Sequence, residues 1–289
     1  MRKKSALGKL LVVMIALSGL TSCNDDPFDP IQQFEHEQKQ IDDYLADNGL
    51  SAKEDTLGYG LRYVTLQEGS GPKPKLDQVV LVDYEGTVLT NGNVFDSGDS
   101  VYANLSRVIL GWQVLMPHLR EGGEMLMFMP SVYAYGQSGV GEIPGGVPLI
   151  YKVKLRDVTS QFAYEQARIG QYLEEHELVA ETDSIEGLRY IITEEGDEDG
   201  DWPTATSTVN VDYEGRYLVN DEVFDSNSGV DFNLGNLIDG WGILMPYVKE
   251  GGSITMFIPS KFAYGTTGSS SGIPPYATLI FEVKLNSVK

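Results

Sequence analysis

Seven side chains recur in one order in the two halves of this chain, and their types suit a reaction that needs shape more than a nucleophile. In the C-terminal half they are Tyr213, Phe224, Asp225, Ile238, Trp241, Tyr264 and Phe281. In the N-terminal half they are Tyr84, Phe95, Asp96, Ile109, Trp112, Tyr135 and Tyr151. Aromatic rings around one carboxylate, at strand and helix positions, can converge on one concave, largely apolar face. The groups that other chemistries need are sparse. His36, His118 and His176 lie in unrelated contexts, and the chain has no metal-ligand spacing, no Gly-rich phosphate loop and no serine elbow. The acidic run from Glu194 to Asp201 lacks the alternating ligands and distal Glu of a calcium loop and reads as a solvated turn. No cofactor is called for, and a net charge of −21 argues against nucleic acid.

These residues sit in an internal duplication. Between Val79–Gly136 and Thr208–Gly265, 31 of 58 positions are identical without a gap at an offset of 129 residues. A period this long marks a duplicated domain rather than a solenoid. A chain of 289 residues with 42% hydrophobic and 10% aromatic content has room for two domains, each with its own core. Each repeat opens on a stretch with apolar residues at helical spacing. The first spans Phe34–Leu50, with Ile41, Tyr44 and Leu45; the second spans Tyr164–Leu178, with Ile169, Tyr172 and Leu173. Their expected role is packing on the domain that follows.

Strands take over at 61–66 and 188–193, then at Val80, Val82, Tyr84 and at Val209, Val211, Tyr213, where apolar residues alternate with polar ones. The last strands alternate likewise, with Leu149, Tyr151, Val153, Leu155 and Leu279, Phe281, Val283, Leu285 facing inward. A short helix is expected at 111–115 and at 240–244, stopped by Pro117 and Pro246. Clean alternation around one short helix predicts an α+β class: two domains, each a curved antiparallel sheet wrapped around a short α-helix and preceded by an amphipathic helix.

The ordered motifs Val-Asp-Tyr-Glu-Gly, Val-Phe-Asp-Ser, Leu-Ile-Asp-Gly-Trp, Phe-Ala-Tyr-Gly and Ile-Pro-Pro-Tyr-Ala-Thr-Leu-Ile-Phe-Glu-Val together resemble the FKBP-type peptidyl-prolyl isomerases. The resemblance covers about Gly71 to Val158 and Gly200 to Val288. It implies that Trp112 and Trp241 floor a proline pocket walled by Tyr84, Phe95, Tyr151 and by Tyr213, Phe224, Phe281. It further implies that Ile109 and Ile238 offer a backbone N–H, that Tyr135 and Tyr264 offer a hydroxyl, and that Asp96 and Asp225 orient groups in the cleft. Val108, Ile143, Leu237, Phe232 and Ile273 are carried over as substrate-binding positions. The implied partners are polypeptides with X–Pro bonds, with macrolide inhibitors as further candidate ligands. Each residue also has a plain structural use, since Trp and Phe fill cores and an Asp after Phe can cap a turn. What favours the cleft is the order, kept twice.

The copies depart from the family and from each other. Between Ser97 and Asn104, and between Ser226 and Asn233, the segment is shorter than the family's basic one, with Val101 or Val230 where an aromatic is common. This removes the Arg that pairs the Asp. In the first repeat Ala103 stands where the second has Phe232, and Gly145-Gly146 follows Pro144 where the second continues Pro274-Pro275. The first cleft is therefore expected to have a looser rim and a shallower pocket, and the second domain to be the more active. The competing readings are a non-catalytic module holding proline-containing or hydrophobic segments as a chaperone or adaptor, and a first domain that serves only as a spacer.

The N-terminus reads as a targeting signal. Arg2, Lys3 and Lys4 precede an apolar run from Leu10 to Leu17, too short to span a bilayer, and then Leu20-Thr21-Ser22-Cys23. This resembles a bacterial lipobox, with Cys23, the single cysteine, as the acylated residue. Asn24 after it favours outer-membrane delivery, facing either the periplasm or the surface. The expected layout is a signal peptide over 1–22, a tether over 23–33, a first domain with its helix over 34–158 and a second over 159–289.

Overall fold

The computed structural model describes residues 29–289. The signal and Cys23 lie outside the described residues. The chain divides into two compact units, one ending at Thr159 and the other covering Ser160–Lys289.

In the first unit, helix α1 runs Pro30–Asp47. It begins four residues before the expected start, so residues 30–33 belong to the helix rather than to a tether. The reason is local. Asp29 accepts from the N–H groups of Ile31 and Gln32, and Pro30 stands at the first helical position, where a missing N–H costs nothing. The strands are β1 Lys53–Glu54, β2 Arg62–Gln67, β3 Gln78–Val88, β4 Val94–Asn104, β5 Glu124–Met129 and β6 Leu149–Ser160. They form one antiparallel sheet in the order β1-β2-β5-β6-β3-β4. Helix α2, Leu110–Leu115, follows β4 and passes into a 3-10 turn at Met116–His118 that takes up Pro117.

The sheet alternates strictly. Val80, Val82, Met125, Met127, Leu149, Tyr151 and Val153 are buried in a core with Trp112 and Leu115 of α2. Their neighbours Leu89, Phe128 and Ile150 are buried in a second, smaller core with Ile41 and Leu45 of α1. The sheet thus packs on both faces, with a helix on each.

The second unit repeats this. Helix α3 runs Gln161–Glu175, capped by Ser160, whose hydroxyl accepts from Ala163 N–H at 3.1 Å. The strands are β7 Glu181–Thr182, β8 Arg189–Glu194, β9 Thr208–Tyr217, β10 Val223–Asn233, β11 Ser253–Ile258 and β12 Leu279–Val288, in the order β10-β9-β12-β11-β8-β7. Helix α4 is Asp239–Leu244. Ile169 and Leu173 pack with Phe257 and Ile280, opposite the core that holds Trp241.

The trimmed segments after Asp96 and Asp225 do not form loops. They continue as strand, with Ala103 opposite Val80 and Phe232 opposite Val209, and each absorbs its irregularity in bulges. The rim after Ile143 is also not looser than its counterpart. Gly146 (φ 66°) and Tyr276 (φ 62°) share the left-handed conformation, and their N–H groups bond Gly136 O at 3.0 Å and Gly265 O at 2.9 Å. The second repeat reaches this closure with one residue more, over 265–276 against 136–146.

Candidate functional site

Each domain gathers its aromatic set where α2 or α4 faces the sheet. In the first, Tyr84 on β3 donates to Asp96 Oδ2 on β4 at 2.9 Å. In the second, Tyr213 donates to Asp225 Oδ2 at 2.7 Å. Burial, then the bond to the carboxylate, pushes both phenols up to about 12. They therefore remain donors to the carboxylates across any physiological pH.

The floors are indoles. Trp112 is 5% and Trp241 3% exposed. Each makes edge-to-face contacts with two walls: Trp112 with Tyr151 at 5.3 Å and Tyr84 at 5.7 Å, Trp241 with Phe281 at 5.3 Å and Tyr213 at 5.9 Å. Phe95 stands on Tyr151 at 5.6 Å and Phe224 on Phe281 at 5.6 Å, both nearly perpendicular. Tyr135 reaches Tyr151, hydroxyl to hydroxyl, at 3.5 Å and lies 6.5 Å from Phe95. Burial, followed by the hydrogen bond shared with Tyr135, raises the Tyr151 phenol strongly. Burial, then the Asp225 charge, raises Tyr264.

Two glycines make this crowding possible. A Cβ on Gly86 would lie 2.6 Å from Phe95 Cζ and 2.8 Å from Tyr151 Cε1; on Gly215, 2.6 Å from Phe224 Cζ and 2.7 Å from Phe281 Cε1. The glycine of each Tyr-Glu-Gly motif is thus where two walls press on the strand. Gly111 and Gly240 do the same for the helix, where an added Cβ would lie 2.5 Å from Met129 Sδ and 2.5 Å from Ile258 Cγ2.

In the first domain these residues line an open cleft of about 270 Å³. Tyr84, Asp96, Val108, Ile109, Trp112, Tyr135 and Tyr151 line it, as expected for site positions, together with Val82, Val101, Ala103 and Arg107. The sequence does not single out Val82 or Arg107: Val82 reads as ordinary core, and Arg107 has no counterpart in the second repeat, where Asn236 stands. Phe95 and Ile143 are not in the lining. Phe95 backs the wall, and Ile143 is 8% exposed within the core. In the second domain Ile273 is likewise buried in the core, with Leu237, Ile238 and Tyr264 packed against it. Phe232 packs 5.6 Å from Tyr213 and 6.1 Å from Trp241, filling the space that Ala103 leaves open. Ala103 lines the first cleft at the position that Phe232 occupies in the second domain.

Ile109 and Ile238 are the N-caps of α2 and α4, and no side chain caps either helix. Their carbonyls accept from Trp112 and Trp241 N–H at 3.0 Å, which fixes the indoles on the first helical turn. Among the described residues no group of three or more His, Cys, Asp or Glu could hold a metal ion.

The model of the FKBP-type peptidyl-prolyl cis-trans isomerase family matches residues 71–156 and 200–286, more than half of the chain. The chain belongs to that family, with two copies of its domain. A probable FKBP-type peptidyl-prolyl cis-trans isomerase FkpA of Neisseria meningitidis serogroup B is 47% identical over 103 residues, covering 34% of this chain and 37% of that protein. The peptidyl-prolyl cis-trans isomerase Mip of Coxiella burnetii is 40% identical over 108 residues, covering 36% and 46%. The chain thus spans less than half the length of either relative. A solved peptidyl-prolyl cis-trans isomerase of Pseudomonas syringae pv. tomato aligns with 28% identity and a TM-score of 0.41, over 48% of this chain and all of that one.

Proposed function

We propose that this chain is a peptidyl-prolyl cis-trans isomerase with two clefts, acting on X–Pro bonds of exported polypeptides. The observation that carries the reading is the pairing of Tyr84 with Asp96 and of Tyr213 with Asp225, each beside an indole floor. Rotation about an X–Pro bond faces a barrier of roughly 18–20 kcal/mol, set by amide resonance. That resonance places charge on the carbonyl oxygen, and water stabilises the charged form. An apolar cleft that removes this water weakens the resonance and favours the twisted amide. Rate enhancement needs only that the cleft bind the twisted form better than either planar one. Each gain of about 1.36 kcal/mol in that difference is a factor of ten in rate.

In this mechanism the indole receives the proline ring. The Ile109 or Ile238 N–H and the Tyr135 or Tyr264 hydroxyl hold the substrate backbone on either side. Asp96 or Asp225, oriented by its tyrosine, sets negative potential beside the rotating carbonyl. No bond to the protein forms or breaks. The test is cis-to-trans isomerisation of a short X–Pro peptide by the full chain, beside the chain carrying Asp96→Val and Asp225→Val together. A rate that falls in the double variant supports the reading. A folded wild-type chain that binds the peptide without accelerating it would make this a holding or adaptor module instead.

The targeting signal supports a second part of the proposal: Cys23 is acylated and tethers both domains to the outer membrane. Radiolabelled palmitate should enter the wild-type chain and not Cys23→Ser, and the variant should leave the membrane fraction. Label retained in the variant would refute the anchor.

A further inference from the structure

The family match begins at residue 71 in one repeat and at 200 in the other, so it leaves out α1 and α3. Both helices nevertheless reach the turn that carries a cleft tyrosine. Glu37 of α1 is 1% exposed and Glu165 of α3 is 2% exposed. The Glu37 carboxylate accepts from Ser131 N–H at 2.5 Å, Ser131 Oγ–H at 2.7 Å and Gln33 Nε2 at 2.8 Å. Glu165 accepts from Ser260 N–H at 2.8 Å, Ser260 Oγ–H at 2.6 Å and Gln161 Nε2 at 2.6 Å. Neither meets a cation among the described residues.

Ser131 opens a 3-10 turn over Ser131–Tyr133, and Ser260 opens one over Ser260–Phe262; in neither does a neighbouring side chain supply the cap. The serine carbonyl then closes the turn. Ser131 O accepts from Ala134 at 2.9 Å and Gly136 at 2.8 Å, and Ser260 O from Ala263 at 3.0 Å and Gly265 at 2.8 Å. Between those anchor points stand Tyr135 and Tyr264. Packing alone does not call for a carboxylate here, because a leucine at the same helical position would bury with no charge to compensate. What a carboxylate adds is two acceptors of fixed geometry, aimed at one residue of another element.

We propose that Glu37 and Glu165 are positioning residues of the two clefts: each fixes, through Ser131 or Ser260, the turn that presents Tyr135 or Tyr264 to substrate. This rests on the isomerase reading above. The experiment is a double-mutant cycle in the full chain, with each change made in both repeats at once. One arm is Glu37→Leu with Glu165→Leu, the other Tyr135→Ala with Tyr264→Ala, and the last combines them. The readouts are kcat/KM for an X–Pro peptide and the urea midpoint.

The carboxylate changes should lower kcat/KM about tenfold in chains still folded, and should cause little further loss once the tyrosines are gone. Coupling of that size is expected within one hydrogen-bond network. Losses that multiply independently, or full activity in the folded carboxylate variant, would overturn the proposal. If the leucine variants do not fold, Ser131→Ala with Ser260→Ala removes only the hydroxyl contacts and enters the same cycle with the same two outcomes. A wild-type chain that binds peptide but does not turn it over defeats the isomerase reading alone. The cycle is then read on the peptide's Kd, where coupling supports the positioning role and independence overturns it.

Discussion

Replacing Gly86 and Gly215 together by alanine tests the cleft by sterics alone. Neither glycine has a left-handed φ, so alanine fits the backbone and only the added methyl matters. In the second domain that methyl would sit 2.6 Å from Phe224 Cζ and 2.7 Å from Phe281 Cε1. Carbon atoms rest comfortably at about 3.5–4.0 Å, so each ring must retreat by roughly 1 Å. Phe281 has nowhere to go, being 5% exposed with Trp241 5.3 Å behind it. Overpacking of this kind costs about 1–3 kcal/mol per site. A displacement of about 1 Å at a positioned group can cost on the order of 100-fold in rate. The expected result is a lower urea midpoint and a drop of roughly 10- to 100-fold in kcat/KM, on the order that these two effects set. Gly170→Ala is the control: it lies in α3 with its nearest neighbour, Arg189 Nη1, at 3.7 Å, so it should stabilise by about 0.5–1 kcal/mol and leave activity alone. A folded Gly86→Ala/Gly215→Ala chain with wild-type kcat/KM would refute the placement of the walls.

Other outcomes follow from the same geometry. Phe232→Ala should open the second cleft and raise its affinity for peptides bearing a bulky residue beside proline, whereas Ala103→Phe should lower that of the first; isothermal titration with small and bulky peptides reads both, and changes of the same sign would count against them. The Tyr84 and Tyr213 phenols, raised to about 12, should ionise above the ordinary tyrosine range in ultraviolet difference spectra. The sign is that of a raised folded-state pKa: their contribution to stability is present below the ordinary tyrosine value, about 10, and fades as pH rises through about 12. Asp183, 3% exposed, accepts from the N–H groups of Ile185, Glu186 and Leu188. Burial works to raise its pKa, but those donors outweigh it and hold the carboxyl below the usual range. Its stabilisation is therefore present above about 3.9 and lost as pH falls through its lower folded value. Asp183→Ala should cost about 1–3 kcal/mol near neutral pH and flatten the acid limb of a stability-versus-pH curve; an unchanged limb would contradict it.

Much of this is legible in the residues. The duplication, the alternation of β3 and β6, and the amphipathic helices all follow from patterns of period 2 and 3.6, which survive any tertiary context. The Tyr, Asp and Trp positions are legible because they recur in order. Other features depend on distances that no one-dimensional pattern carries. The role of Gly86 and Gly215 needs two rings from different strands to meet over one backbone. The helix starts at Pro30 and Gln161 lie ahead of the stretches whose apolar spacing marks the helices, although Asp29, Pro30 and Ser160 are start signals. The expectation of a looser first rim treats Gly145-Gly146 as freedom, whereas Gly146 and Tyr276 adopt the same φ. Glu37 and Glu165 read as solvated polar positions on amphipathic helices. The one sequence signal that could expose them is the pairing of Gln33 with Glu37 and of Gln161 with Glu165, 128 residues apart.

That pairing bears on what was inherited when the chain doubled. The carboxylate and the serine it holds lie 94 residues apart in the first repeat and 95 in the second. The repeated stretch therefore includes the leading helix as well as the sheet. The unit of descent is larger than the family's boundaries suggest. An ancestor cut at residue 71 or 200 would have handed on a cleft whose tyrosine turn had lost its distant cap. In a lineage that adds or drops domains, the segment able to move as a working piece begins at the residue capping the helix, Asp29 or Ser160.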